Sequence, residues 1–266
     1  MADPIFDDNG ILTTRITKEG SNAPSMCHLV KDYLFGVDLT DDDGVPYPDS
    51  MFETAIGLAI DRMQTELNMS IHPIKVEQEL HDYYINDYVD FAYIDVFEYP
   101  VRSVISVSAA YPPSQEILNF PQDWVRLNAS RGQIQLVPTE GSLSTIIIGR
   151  GGTYLPLVWQ GLGYLPQLFR VDYQAGFAKG KLPKDIEHLI MMHAGIHILN
   201  TAGDLIQGAG IASRSESLDG FSRSISTTSS ATNAGYGARI LEWNKEIKEY
   251  TKRIKQFYRG IQMEAL

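Results

Sequence analysis

The 266-residue sequence has a single cysteine, Cys27. One thiol cannot close an intramolecular disulfide or build a cysteine zinc site, which excludes a secreted disulfide scaffold and makes a reducing, intracellular origin the expectation. Long apolar runs are also missing. No stretch approaches the roughly 18 residues of a membrane span, and the opening Met1-Ala-Asp-Pro-Ile-Phe-Asp-Asp has neither the basic nor the apolar segment of a secretory leader. Neither membrane insertion nor secretion is expected. Basic charge is scarce, with 22 Lys and Arg against 33 Asp and Glu and a formal net charge of −11. An acidic surface repels phosphate, so free nucleic-acid binding by the whole chain is disfavoured. What remains is 44% hydrophobic and 10% aromatic, over a length that allows one elaborated domain or two small ones without covalent staples.

The charge is unevenly spread. Residues 236–260 hold seven basic residues (Arg239, Lys245, Lys248, Lys252, Arg253, Lys255, Arg259) against Glu242, Glu246 and Glu249, which leaves residues 1–235 at −14. An acidic body with a basic end favours charge-complementary docking, to an acidic partner or to another copy of the same body.

Along the chain, residues 1–24 are polar and without period, which predicts an extended N-terminal arm that a neighbour must order. Ser25 is placed to cap a short helix through Phe35, with Leu29, Val30, Tyr33 and Leu34 on one face and Gly36 as its stop. The run from Asp38 to Asp49 reads as an acidic loop. A long helix from Asp49 to Met69 is predicted by Phe52, Ala55, Ile56, Ala59, Ile60, Met63 and Leu67 at 3/4 spacing, with Asp49 or Ser50 as N-cap.

From His72 the period changes to 2. Strands are predicted at 75–80, 91–97, 101–109, 124–127, 133–137 and 144–148, punctuated by Pro and Gly. After a strand at 169–175, Leu182-Pro183-Lys-Asp185-Ile-Glu187 opens a second long helix to about Ala202, and Gly203 is the expected stop. Residues 203–235 are rich in Gly, Ser, Thr and Ala and predict a flexible or partner-ordered loop. The last helix, Tyr236 to Arg259, carries a heptad seam of Tyr236, Ile240, Trp243, Ile247, Tyr250, Ile254 and Phe257, which can pack on its own domain or on another subunit. The fold class is therefore α+β, with two long helices plus a C-terminal helix and a β-rich insertion. Its parts are an arm (1–24), a helical core (25–71 and 167–202), the insertion (72–166), the loop (203–235) and the basic helix with its tail (236–266).

Catalytic patterns are incomplete wherever they begin. His193 and His197 have the spacing of two metal ligands, with His188 nearby, but position 194 is Ala where a metalloprotease needs Glu. A calcium loop with its glycine at Gly44 would start at Leu39 and put Ser50 in the place of the bidentate glutamate. Gly149-Arg-Gly-Gly152 lacks the Lys-Ser/Thr of a phosphate loop, and Gly220-Phe-Ser-Arg-Ser224 lacks the second glycine of a nucleophile elbow. No enzyme activity, metal or cofactor is expected.

The helical parts carry an ordered set of motifs: Leu29-Val-Lys-Asp-Tyr-Leu34, then Phe52-Glu-Thr-Ala-Ile-Gly-Leu-Ala-Ile-Asp-Arg-Met63, then Tyr99-Pro-Val-Arg-Ser-Val-Ile-Ser-Val107. Val171-Asp-Tyr-Gln-Ala-Gly-Phe177 and Leu182-Pro-Lys-Asp-Ile-Glu-His-Leu-Ile190 follow. In that order, over about 110 of the 266 residues, the sequence resembles the head-to-tail connector (adaptor, or head-completion) proteins of tailed bacteriophages. The resemblance implies a non-catalytic structural protein of the virion neck, made in the host cytoplasm. It also implies a ring of about twelve copies beneath the portal, with heterologous contacts closing the ring. Implied partners are the portal protein, neighbouring copies, a downstream neck or tail-completion protein and genomic DNA in transit, with no membrane. Tyr236, Arg239, Trp243, Lys245, Lys248, Tyr250, Lys252, Arg253 and Lys255 are the expected portal/subunit interface, with Trp243 and Tyr250 as anchors and the lysines giving electrostatic registry. Two rival readings are another virion module, such as a baseplate or glycan-binding protein using Trp124 and Trp159, and a hydrolase built on His193 and His197.

Overall fold

The computed structural model describes residues 13–21, 23–41, 43–84, 93–110, 116–137, 139, 163–207, 213–218, 221–226 and 236–259. They form an α+β protein in two compact units. Among the described residues no helix is long and apolar enough to cross a membrane. The predicted strand at 144–148 lies outside the described residues.

The first unit takes the described parts of Met1–Ser21 and Met69–Lys179. Its strands are β1 (Arg15–Lys18), β2 (Ile74–Tyr84), β3 (Tyr93–Asp95), β4 (Val101–Ala110), β5 (Glu116–Asn119), β6 (Val125–Asn128), β7 (Gln133–Leu136) and β8 (Tyr164–Ala175). An antiparallel sheet runs β1-β2-β8-β4-β5, and a second runs β3-β7-β6. One apolar cluster joins them, with Val76, Tyr83, Val107, Phe169, Val171 and Tyr173 from the larger sheet and Ile94, Ile134 and Leu136 from the smaller. Two strands were not expected from the sequence. β1 falls in the predicted arm and pairs with β2 of its own chain, and β5 lies in a stretch of low periodicity. The strand expected at 169–175 starts at Tyr164, while that expected from Trp124 starts at Val125, after a 3-10 turn at Gln122–Trp124.

The register of β2 slips between Val76 and Glu79, where Gln78 has φ +56°. A bulge inserts one residue and reverses the alternation. Before it the even positions Ile74 and Val76 are buried; after it Glu79 and Tyr83 are. Asp172 holds the bulge, accepting from the Gln78 N–H (2.6 Å) and the Ser106 hydroxyl (2.7 Å). The buried Glu79 accepts from His81 Nε2 (2.8 Å), the Phe97 N–H (2.9 Å) and the Tyr173 hydroxyl. Tyr173 in turn accepts the Glu98 N–H at 3.0 Å.

The motif Tyr173-Gln-Ala-Gly-Phe177 sits where β8 ends. Gly176 has φ +77°, and a Cβ there would come 1.9 Å from the carbonyl oxygen of His72. Its N–H donates to the Pro100 carbonyl at 2.8 Å and the Phe177 N–H donates to that of Ile71 at 3.3 Å. The turn thus ties β8 to the segments that lead into β2 and β4.

The second unit takes the described parts of Asn22–Asn68 and Gly180–Leu266. It contains α1 (Cys27–Tyr33), α2 (Asp49–Leu67), α3 (Lys184–Gln207) and α4 (Gly237–Arg259), with a hairpin of β9 (Ser213–Leu218) and β10 (Phe221–Ser226). The seven apolar residues predicted for α2 are its seven buried ones. Its N-cap is Pro48 rather than Asp49 or Ser50, and Asp49 instead pairs with Lys31 at 2.6 Å. α1 starts at Cys27, after a 3-10 turn at Ala23–Met26, with Met26 at the N-cap and no side-chain cap, and it stops at Tyr33 rather than Phe35.

α3 is the central helix. Ile186, Leu189, Ile190, Met191, Met192, Ala194, Ile198, Leu199 and Ala202 are all buried, and a helix apolar on so much of its circumference must be covered by neighbours; α1, α2 and α4 all pack on it. It continues through the expected stop at Gly203 to Gln207. The predicted flexible loop also carries structure, since β9 and β10 pair in antiparallel register from Ser213↔Ser226 to Leu218↔Phe221.

Candidate functional site

The sequence points to α4, and its two faces have different fates. Ile240, Ile247 and Ile254 are buried, and the helix lies on α3 with a smaller contact on α2. Gly195, in the middle of α3, makes the approach possible. A Cβ there would meet the Trp243 ring at 2.6 Å (Cζ3) and 3.1 Å (Cη2). A glycine inside a helix costs about 1 kcal/mol against alanine, and here it admits the indole.

One polar chain ties α1, α3 and α4 together. The Tyr33 hydroxyl is 2.6 Å from His188 Nδ1, and His188 Nε2 is 3.4 Å from Glu246 Oε1. The ring of Tyr250 meets His188 edge-on at 5.2 Å. Burial pushes the Tyr33 phenol up, and the charges of Glu187 and Glu246 add to this. The phenol therefore stays protonated, with Nδ1 of His188 within hydrogen-bond reach of its oxygen and Nε2 facing Glu246.

Of the expected interface residues, Tyr236, Trp243 and Tyr250 are half-buried on the inner side. Arg239 lies 6.0 Å from the Trp243 ring and Arg253 5.6 Å from the Tyr250 ring, spacings that suit cation–π contact. Both aromatic anchors are thus committed within the chain. Phe257 leaves the seam and is 73% exposed. Lys245, Lys248, Lys252 and Lys255 are all exposed. Their spacings of 3, 4 and 3 put them in one row on the face turned away from α3, and Leu241, 62% exposed, continues it. None of the four lysines has an ion pair among the described residues.

The other candidates are separated by the fold. His188 is held by Tyr33 and Glu246, His193 is buried and His197 is exposed. Among the described residues no group of three His, Cys, Asp or Glu is placed to hold a metal. Cys27 donates to the Ala23 carbonyl at 3.8 Å, and burial, with Glu53 and Asp49 adding, pushes its thiol up. Trp124 is half-buried and tilted against Phe120 at 6.4 Å rather than laid open as a sugar platform, and Trp159 lies outside the described residues.

Burial, with the charge of Arg62 adding, pushes His193 below its ordinary value, and its Nε2 has no partner among the described residues. A histidine whose pKa is lower folded than unfolded takes up its proton on unfolding. Its contribution is therefore whole at neutral pH and is lost as pH falls through about 6.5. Thermal unfolding is expected to show a steeper loss of stability between pH 7 and pH 5 in the wild type than in His193→Met. Parallel curves would contradict this.

No family model matches the sequence, and no curated protein does. Among solved structures, the chain is similar to one in the neck of an empty GTA particle computed with C6 symmetry, at 13% identity and TM-score 0.40, covering 68% of this chain and 82% of that one. It is similar to a chain in the virion of a native gene transfer agent particle, at 14% identity and TM-score 0.39, covering 68% and 81%. A third is in the neck of the native GTA particle computed with C12 symmetry, at 12% identity and TM-score 0.36, covering 68% and 80%. A likeness at these identities and TM-scores assigns this chain no role by itself.

Proposed function

We propose that this protein is a structural component of a phage-like virion, a head-to-tail connector. In this reading about twelve copies close into a ring by heterologous contacts beneath the portal. The ring extends the DNA channel, receives the next neck or tail component and performs no catalysis. The observation that carries it is the division of labour on α4, whose Ile240, Ile247 and Ile254 are buried inside the chain while four exposed lysines, without ion pairs among the described residues, stand in a row on the outer side. Exposed Glu242 and Glu249 flank the row, so this side of α4 is net basic rather than of one sign, and a net basic helix face on an acidic body is suited to docking. The motif residues add support, because Gly176 shapes the turn that ends β8 and Pro183 directly precedes α3.

The reversal Lys248→Glu with Lys252→Glu tests this reading. With the portal protein encoded by the same genome, the wild type is expected to bind in a salt-sensitive manner and the variant to lose binding. A variant that binds with unchanged salt dependence contradicts the role given to α4.

A further inference from the structure

The outer face of α2 carries the counterpart of the lysine row. Glu53 and Asp61 are exposed and eight residues apart, about 80° around the helix, which keeps them on one side of it. Leu58, 54% exposed, lies one turn before Asp61. The other charges on this face are already matched: Lys31 pairs with Asp49 at 2.6 Å and Arg62 with Glu66 at 2.8 Å. The carboxylates of Glu53 and Asp61 have no ion pair among the described residues.

At 1.5 Å per residue the row from Lys245 to Lys255 is about 15 Å long, and the acidic stripe from Glu53 to Asp61 about 12 Å. The two have opposite sign and similar length, and each has one exposed leucine, Leu241 and Leu58. Within one chain they do not meet, because the seam on α3 points the lysines away from the chain's own helices. We propose that the lysine row of α4 docks on the outer face of α2 in a second copy of this chain. Such a contact is heterologous, since the row of one copy takes the stripe of the next, and repetition gives a ring or a filament rather than a closed pair. The proposal names the subunit contact of the connector reading and rests on it only for closure into a ring; the association itself needs no portal.

The test uses the whole protein without portal, in sedimentation at micromolar concentration. The wild type is expected to form species larger than a monomer. Raising ionic strength from about 0.05 M to about 0.5 M should weaken the association about tenfold, because exposed pairs are screened at that salt. Lys248→Glu with Lys252→Glu should be monomeric alone, and so should Glu53→Lys with Asp61→Lys. Mixing the two variants should restore assembly, because each then offers the other an opposite charge at both surfaces. All four substituted residues are exposed, and a far-UV spectrum like the wild type's identifies folded variants. A wild type that stays monomeric at low salt overturns the proposal, as does a mixture that fails to assemble where the wild type succeeds. Under this proposal the reversal loses portal binding through loss of the subunit contact, so a wild type that binds portal while remaining monomeric overturns the proposal and leaves the connector reading standing.

Discussion

Replacing Gly176 with alanine is expected to unfold the β unit at temperatures where the wild type is stable. Two costs fall on the same atom. The φ of +77° is a conformation that a Cβ disfavours, and the added methyl would sit 1.9 Å from the His72 carbonyl oxygen. That oxygen is backbone, in the segment that leads into β2, so no rotamer relieves the overlap. The change must also pull on the Gly176 N–H, which donates to Pro100 at 2.8 Å. A left-handed non-glycine residue costs about 1–2 kcal/mol before any clash. With the clash, a loss of about 4 kcal/mol, at the upper end for single substitutions, is expected in urea unfolding followed by β-sheet circular dichroism. A loss below about 1 kcal/mol would contradict the geometry. The glycine in the Tyr-x-Ala-Gly-Phe motif thus has a backbone reason to be there.

Glu79→Leu is the second large effect. The carboxylate is buried and accepts three hydrogen bonds, from His81, the Phe97 N–H and Tyr173. Leucine fills a similar volume but accepts nothing, so an amide, a phenol and an imidazole lose their acceptor together. Removing one partner from a buried charged network costs about 3–5 kcal/mol, most of it as desolvated groups left unpaired. Burial, and then the charge of Glu79, push the Tyr173 phenol up, so it remains a donor throughout the accessible range. Glu79→Gln keeps one acceptor oxygen and is expected to lose clearly less. Equal stability of Glu79→Leu and wild type in urea unfolding would show that the network contributes nothing net.

The helices were legible where one face repeats. Phe52, Ala55, Ile56, Ala59, Ile60, Met63 and Leu67 could be assigned to the core of α2 from spacing alone, and so could Ile240, Ile247 and Ile254 of the α4 seam, whereas Phe257 is exposed. Spacing does not say what a seam packs against. The indication that Trp243 turns inward was Gly195, a glycine in the middle of an apolar helix, which marks close approach. The β9–β10 hairpin was hidden by composition. Ser213, Ser215, Ser217, Ser222, Ser224 and Ser226 alternate with Arg214, Glu216, Leu218, Phe221, Arg223 and Ile225, and the link between the halves is Asp219-Gly220, a favoured hairpin pair. The serines lowered the hydrophobicity enough to read as loop, although the period of 2 was present. Glu79 could not be placed from sequence, because the bulge at Gln78 reverses the inside and outside of β2 and nothing local announces it. The acidic stripe on α2 was likewise obscured, since Glu53 and Asp61 gain meaning only beside a lysine row of similar length that has no ion pair among the described residues.

The connector reading is tested most directly by electron microscopy of this protein mixed with the portal encoded by the same genome, with each component imaged alone. The expected result is a collar of density with rotational symmetry added at the narrow end of the portal, from which the copy number is read. A portal that stays bare at micromolar concentrations of this protein would contradict the reading.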